Sequence, residues 1–181
     1  MIAIFAKTIK RARLILNMNG DPKLFEILEE LSIQFEYYEH PPTPTIEEAM
    51  KYWKDIESTH CKNLFFRNHK GDRHYLVVFD HRKTLDVKTL EGMLHQGKLT
   101  FASEERMSRF LGVKPGSVTP LALINDKNNH VKLFIDSDIR KGTKVSFHPC
   151  SNTASIVIKT TDLIRFLYYV QNEVEWLDIM H

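Results

Sequence analysis

Between Leu111 and Pro120 the chain reads Leu111-Gly112-Val113-Lys114-Pro115-Gly116-Ser117-Val118-Thr119-Pro120, with two glycines and two prolines in its last nine residues. Neither a helix nor a strand interior tolerates that density, because proline removes backbone donors and glycine adds conformational freedom. The stretch must therefore be a shaped loop between ordered elements. Such a loop can turn main-chain N–H groups toward a ligand: glycine lets the backbone come close, and proline fixes the bend beforehand. A plain connection satisfies the local sequence equally well. The loop gains meaning from two other stretches, Cys61-Lys62-Asn63-Leu64-Phe65-Phe66-Arg67-Asn68 before it and Phe147-His148-Pro149-Cys150-Ser151-Asn152-Thr153-Ala154 after it.

Around these stretches the pattern alternates helices and strands. Asp21-Pro22 reads as an N-cap followed by the first helical residue, with Leu24, Ile27, Leu28 and Leu31 on one face. Residues 35–40 read as a strand stopped by Pro41, Pro42 and Pro44, and Thr45 as the cap of a helix through Met50. Two β-rich runs, 62–68 and 74–81, flank the hairpin residues Lys70-Gly71-Asp72, and the apolar run from Tyr75 to Phe79 predicts a central strand. Asp86 and Ser103 open two more helices, the second ended by Gly112. Residues 121–124 and 131–135 flank Asn125 to Asn129, which predicts a second hairpin. Residues 144–148 and 154–158 follow as strands, and Thr161-Asp162 starts a last helix. The expected fold is a single α+β (mixed α/β) domain, with a mixed, mostly antiparallel sheet of about six or seven strands flanked by helices.

A length of 181 residues suits one domain. Its expected bounds are 18–181, with 1–17 a leader or added extension carrying Lys7, Lys10, Arg11 and Arg13 and no acid. A formal net charge of +2 gives no global footprint for nucleic acid, so an RNA partner would have to meet a local basic face. Two cysteines without a paired spacing fit a reducing, cytoplasmic setting. The scattered histidines show no metal-ligand spacing, so no metal is expected. No run approaches the ~20 apolar residues of a membrane span.

Four motifs in order, Lys62-Asn63-Leu64-Phe65, Phe101-Ala102-Ser103-Glu104-Glu105-Arg106, Leu111-Gly112-Val113 with Gly116-Ser117-Val118-Thr119-Pro120, and Phe147-His148-Pro149 with Asn152-Thr153-Ala154, resemble the YbaK/ProX family of aminoacyl-tRNA deacylases. The resemblance runs from about residue 18 to 169 and includes His40-Pro41 and Thr45-Ile46-Glu47-Glu48-Ala49. The motifs are most similar to the free-standing ProX branch, which implies hydrolysis of alanine wrongly attached to proline tRNA. It also implies a mixed sheet with flanking helices, no cofactor, the aminoacylated 3′ end of tRNA as partner, and prolyl-tRNA synthetase as a candidate second partner. Neither DNA nor membrane is implied.

Hydrolysis of an aminoacyl ester places negative charge on the carbonyl oxygen while water attacks, so a site needs oxyanion donors and an oriented water. No Ser-His-Asp or Cys-His signature is evident, which favours direct attack by water. Under the resemblance the catalytic set is Lys62, His148 and Gly116. The substrate-binding set is Asn63, Ser117, Val118, Thr119, Pro120, Asn152 and Thr153, with the backbone of 116–119 holding the ester. Each has a plainer reading: Lys62 as a solvated strand lysine, His148 as a structural histidine, Asn152 and Thr153 as turn residues. In a regular strand Asn63 faces away from Lys62. Phe65, Val78 and Ile124 are pocket candidates or core, and Cys61 and Cys150 lie near motif residues without a chemical role. Two other functions stay open: a deacylase for another mischarged amino acid, such as cysteinyl-tRNA specific for proline, and a non-catalytic module that binds the tRNA acceptor end.

Overall fold

Strand β3 (His74–Asp80) is buried at every position, as its unbroken apolar run requires of a strand covered on both faces. In the computed structural model, which describes residues 18–42, 46–54 and 56–179, β3 lies inside an eight-stranded sheet. The expected leader 1–17 and the Thr45 cap lie outside the described residues. The other strands are β1 (Phe35–Glu39), β2 (Thr59–Arg67), β4 (Thr100–Phe101), β5 (Val131–Asp136), β6 (Lys144–Phe147), β7 (Ala154–Lys159) and β8 (Val174–Leu177). Their order is β1-β7-β6-β2-β3-β5-β8, with β4 paired to β2. Pairs β1·β7, β2·β3, β2·β4 and β6·β7 are antiparallel, and β2·β6, β3·β5 and β5·β8 are parallel, so the sheet is mixed.

Helices α1 (Pro22–Glu30), α2 (Ile46–Trp53), α3 (Val87–Leu94), α4 (Glu104–Leu111) and α5 (Thr160–Val170) connect the strands. One sheet face packs against α1, α4 and α5 through Leu24, Phe25, Leu28, Leu111, Leu163 and Phe166. The other is covered by α3 through Leu90, together with Leu177 and Ile179. The caps follow the sequence: Asp21, Asp86 and Ser103 each accept a backbone N–H in the first turn, and Gly112 ends α4 at φ 65°.

Two expectations are corrected. Residues 121–124 form no strand: Pro120–Asn125 is a 3₁₀ helix, because the Thr119 side chain accepts from Leu121 N and Pro120 stands at its first position. A short buried apolar run reads equally as either element. The second hairpin is consequently absent, and β5 pairs in parallel with β3 and β8. Strands β4 and β8, two and four residues long, bring the count to eight. The first hairpin stands as expected, its turn held by Asn68 Oδ1, which accepts from the N–H groups of Gly71, Asp72 and Arg73.

Lys83, 4% exposed, fastens the α3-side layer. Its ammonium lies 2.9 Å from Asp136, 2.6 Å from Asp138 and 2.8 Å from the Ile179 carbonyl, joining the turn after β3 to the ends of β5 and β8. Lys83→Ala leaves the fully buried Asp136 without its cation and should lower the unfolding free energy by about 3–5 kcal/mol in urea titration. An unchanged midpoint would count against this fastening.

Candidate active site

Strand β2 changes neighbours along one edge. It pairs with β6 at Thr59 and His60, and with β4 at Phe66 and Arg67. Between these pairs, among the described residues, no strand borders that edge. His60 O accepts from His81 N on the β3 side, whereas Phe65 O accepts from Ala102 N on the other. Backbone groups alternate along a strand, so the N–H and C=O of Asn63 point into the interval between β6 and β4. The Asn63 side-chain Oδ1 is also buried without a hydrogen-bond partner among the described residues.

Lys62 and His148 stand at one level of this interval: each lies two residues beyond the last β2–β6 pair, His60 with Ser146. The β2 strand is regular, and Lys62 and Asn63 occupy opposite faces. Lys62 pairs with Phe79, lies 5.9 Å from that ring's centre and donates to the Lys83 carbonyl at 3.3 Å. Asn63 faces the side of Cys61 and Phe65, the apolar cluster that also contains Val118 of the loop. The structure therefore brings Lys62 level with His148, and Asn63 to the face carrying the loop.

His148 Nδ1 lies 3.0 Å from the Ala154 carbonyl. A carbonyl only accepts, so Nδ1 carries the proton and a neutral ring leaves Nε2 as an acceptor. Burial holds this imidazole below its ordinary pKa, which favours that neutral form. His40 had no assigned role, yet its ring centre lies 6.1 Å from that of His148, stacks on Tyr52 at 5.5 Å and engages Ser155 Oγ at 3.1 Å. The signal was the repeated dipeptide, His40-Pro41 and His148-Pro149. Thr153 holds the turn between β6 and β7, its hydroxyl 2.8 Å from Ser151 Oγ and its carbonyl accepting from His40 N. Asn152 lies half-buried in the same turn.

In the loop, Gly116 has φ 81°, a conformation glycine adopts without strain. Ser117 N donates to Lys114 O at 3.0 Å, so that donor closes the turn. The buried Thr119 hydroxyl accepts from Leu121 N, which makes it a cap. The Gly116 and Val118 N–H groups have no backbone partner among the described residues. Phe65, Val78 and Ile124 are buried in the same cluster as Val118.

Residues 40–166 match the family described as the aminoacyl-tRNA editing domain. The chain belongs to this family. Membership places it among the aminoacyl-tRNA deacylases, the hydrolases that carry out such editing. The chain is 37% identical over 154 residues to the prolyl-tRNA editing protein ProX of Acetoanaerobium sticklandii, covering 84% of this chain and 93% of that one. It is 35% identical over 149 residues to the prolyl-tRNA synthetase associated domain-containing protein 1 of Mus musculus, covering 80% and 88%. A crystal structure named for a proposed trans-editing enzyme for prolyl tRNA synthetase superposes with a TM-score of 0.66 at 19% identity, covering 89% of this chain and 98% of that one, and shows the shared fold.

In this editing domain, burial pushes both thiols well above their ordinary pKa, so Cys61 and Cys150 are neutral. No described helix is long and apolar enough to cross a membrane. Among the described residues no group of three or more His, Cys, Asp or Glu could hold a metal ion. Single-turnover deacylation by Cys61→Ala and Cys150→Ala proteins should stay within about threefold of the parent, since a neutral thiol is a poor nucleophile. Collapse in either variant would bring a thiol into the chemistry.

Proposed function

We propose that this editing domain removes alanine from tRNA specific for proline, by direct attack of water on the aminoacyl ester. The observation that carries the reading is the open interval on β2, where Lys62 and His148 stand level and the Asn63 backbone faces outward. An ester lying across the interval would meet an ammonium on one side and an imidazole acceptor on the other. His148 Nε2 would accept a proton from the attacking water, while its Nδ1 bond to Ala154 holds the ring. Lys62, on the face of His148, would stabilise charge developing on the carbonyl oxygen, while the N–H groups of Gly116 and Val118, on the Asn63 face, would hold the adjoining ribose or phosphate. Asn63, Ser117, Asn152 and Thr153 are the polar groups available to the amino group and ribose, and Pro120 fixes the loop's exit.

Alanine as the amino acid removed rests on similarity to ProX and on a physical need. An activating site sized for proline discriminates poorly against a smaller residue, since a missing methylene is worth only ~1–3 kcal/mol. A second site that excludes by size supplies the rest. Comparing alanyl-, cysteinyl- and seryl-tRNA specific for proline tests the choice: alanyl-tRNA should be cleaved fastest, and faster cysteinyl-tRNA cleavage would transfer the assignment. Binding without cleavage at excess enzyme would make the chain a non-catalytic module.

Lys62→Ala should lower deacylation by about a hundredfold or more while the thermal midpoint stays near the parent's. Undiminished turnover would remove Lys62 from the site. The pH profile tests His148 separately. Its lowered pKa keeps the acceptor present above that value and loses it on protonation below. Activity should therefore hold as pH falls through about 6.5, the ordinary imidazole value, and drop at lower pH. The same acid limb in His148→Ala would assign it to another group.

A further inference from the structure

The motif residue Arg106 and its surroundings take no part in the chemistry above, yet they build a second polar site. Arg106 Nη1 donates to the Gly71 carbonyl and to His74 Nε2, each at 2.7 Å. A guanidinium has no acceptor, so His74 Nε2 accepts and the ring's one proton lies on Nδ1. That proton is donated to His130 Nε2 at 2.8 Å. The buried His74 is held neutral: burial, then His130 and Arg106, push it down to about 4. The exposed His130 ring is thereby fixed in place, parallel to Phe110 at 4.5 Å and 10°, with the Arg109 guanidinium 5.2 Å from the Phe110 ring centre.

This stack lines a cavity of about 440 Å³ with Asn125 and Lys127. Arg109 and Lys127 are exposed cations at its mouth. The carboxylate present, Asp126, is 6% exposed and engaged by Val131 N at 2.7 Å and Asn172 Nδ2 at 2.8 Å. Phe110 is engaged by His130, by His74 at 4.2 Å and by Arg109, so what remains open is the exposed His130 ring flanked by positive charge. That combination suits a nucleobase and its phosphate.

The cavity's position relates it to the candidate active site. Its walls are the two ends of one excursion: 109–110 lead into the Gly/Pro loop and 125–130 lead out, joined at the base where Asn125 Nδ2 donates to Leu111 O at 3.1 Å. Along the sheet, His74 pairs with Arg67, four residues from Asn63 on the same face of β2, the face that carries the Gly/Pro loop. At about 3.3 Å per residue that is ~13 Å, or about four steps of a stacked nucleic-acid strand at ~3.4 Å each. An RNA strand whose esterified end lies at the β2 interval beside Asn63 would pass this cavity about four nucleotides back.

Resting on the deacylase reading, we propose that the Arg109–Phe110–His130–Lys127 cavity is an RNA-docking site that takes one phosphate and one base of the acceptor arm. It supplies the local basic face that a net charge of +2 requires. The reacting ester lies elsewhere, so the site contributes affinity for the whole tRNA and nothing to the chemical step.

The test compares full-length alanyl-tRNA specific for proline with alanyl-adenosine, which is too short to reach the cavity. Arg109→Glu combined with Lys127→Glu, and separately His130→Ala, should lower kcat/KM on the tRNA about tenfold to a hundredfold and leave alanyl-adenosine hydrolysis unchanged. The double charge reversal should also flatten the salt dependence of tRNA binding, by about one logarithmic unit of slope per lost phosphate contact. Equal losses on both substrates, or none on the tRNA, would overturn the docking site. If the parent protein hydrolyses neither substrate, the deacylase reading fails. Filter binding of uncharged tRNA then decides the docking site alone: weakened binding by the variants supports it, and unchanged binding overturns it.

Discussion

Backbone groups on a strand edge need partners, and among the described residues β2 finds strand partners on its outer edge only near its ends, from β6 at Thr59 and His60 and from β4 at Phe66 and Arg67. Its inner edge is paired with β3 from Cys61 to Arg67, which keeps the strand straight across the gap. An unpaired interval inside a sheet would normally weaken it, because unmet N–H and C=O groups are costly when buried. Here the interval is short and bordered by polar residues, Lys62 and Asn63 on β2 and His148 at the end of β6. The geometry that leaves a sheet edge open is the same geometry that sets an ammonium and an imidazole level with each other.

The surroundings fix that arrangement at several points. Thr153 and His40 tie the β6–β7 turn to the end of β1, and Asp21 N donates to the Pro149 carbonyl, anchoring the same turn to the start of α1. On the other side Thr119 caps the 3₁₀ helix and Asn125 closes the base of the loop. The loop is therefore held at both ends by polar contacts, with Val118 pinned in the apolar cluster and Gly116 at the open bend. Preorganisation of this kind suits a reaction that draws its rate from fixed donors.

Much of this was legible in the sequence, for identifiable reasons. Asp21, Asp86, Ser103 and Gly112 act locally, and each caps the helix its chemistry predicts. The β2–β3 hairpin and the buried run of β3 depend on turn residues and period, which also read locally. Residues 121–124 misled because an apolar tetrapeptide has no period of its own, and the Thr119-Pro120 cap that decided the matter lay just outside it. Strand β8 depends on parallel pairing with β5, a contact no local pattern announces. At the site, the motifs named Lys62 and His148 but not their geometry. That depends on where β6 stops, as the role of His74 depends on Arg106, distant in the chain. His40 was marked by its His-Pro dipeptide and reaches Ser155 only through the fold.

The most direct measurement is an amide and imidazole NMR titration with a non-hydrolysable amide analogue of 3′-alanyl-adenosine. Ligand in the β2 interval should shift the backbone amides of Asn63 and Gly116 and the Nε2 resonance of His148, while leaving the Val174 and Trp176 amides of the far edge strand β8 unmoved. Saturable binding with shifts confined to other surfaces, and none at Asn63 or His148, would contradict it.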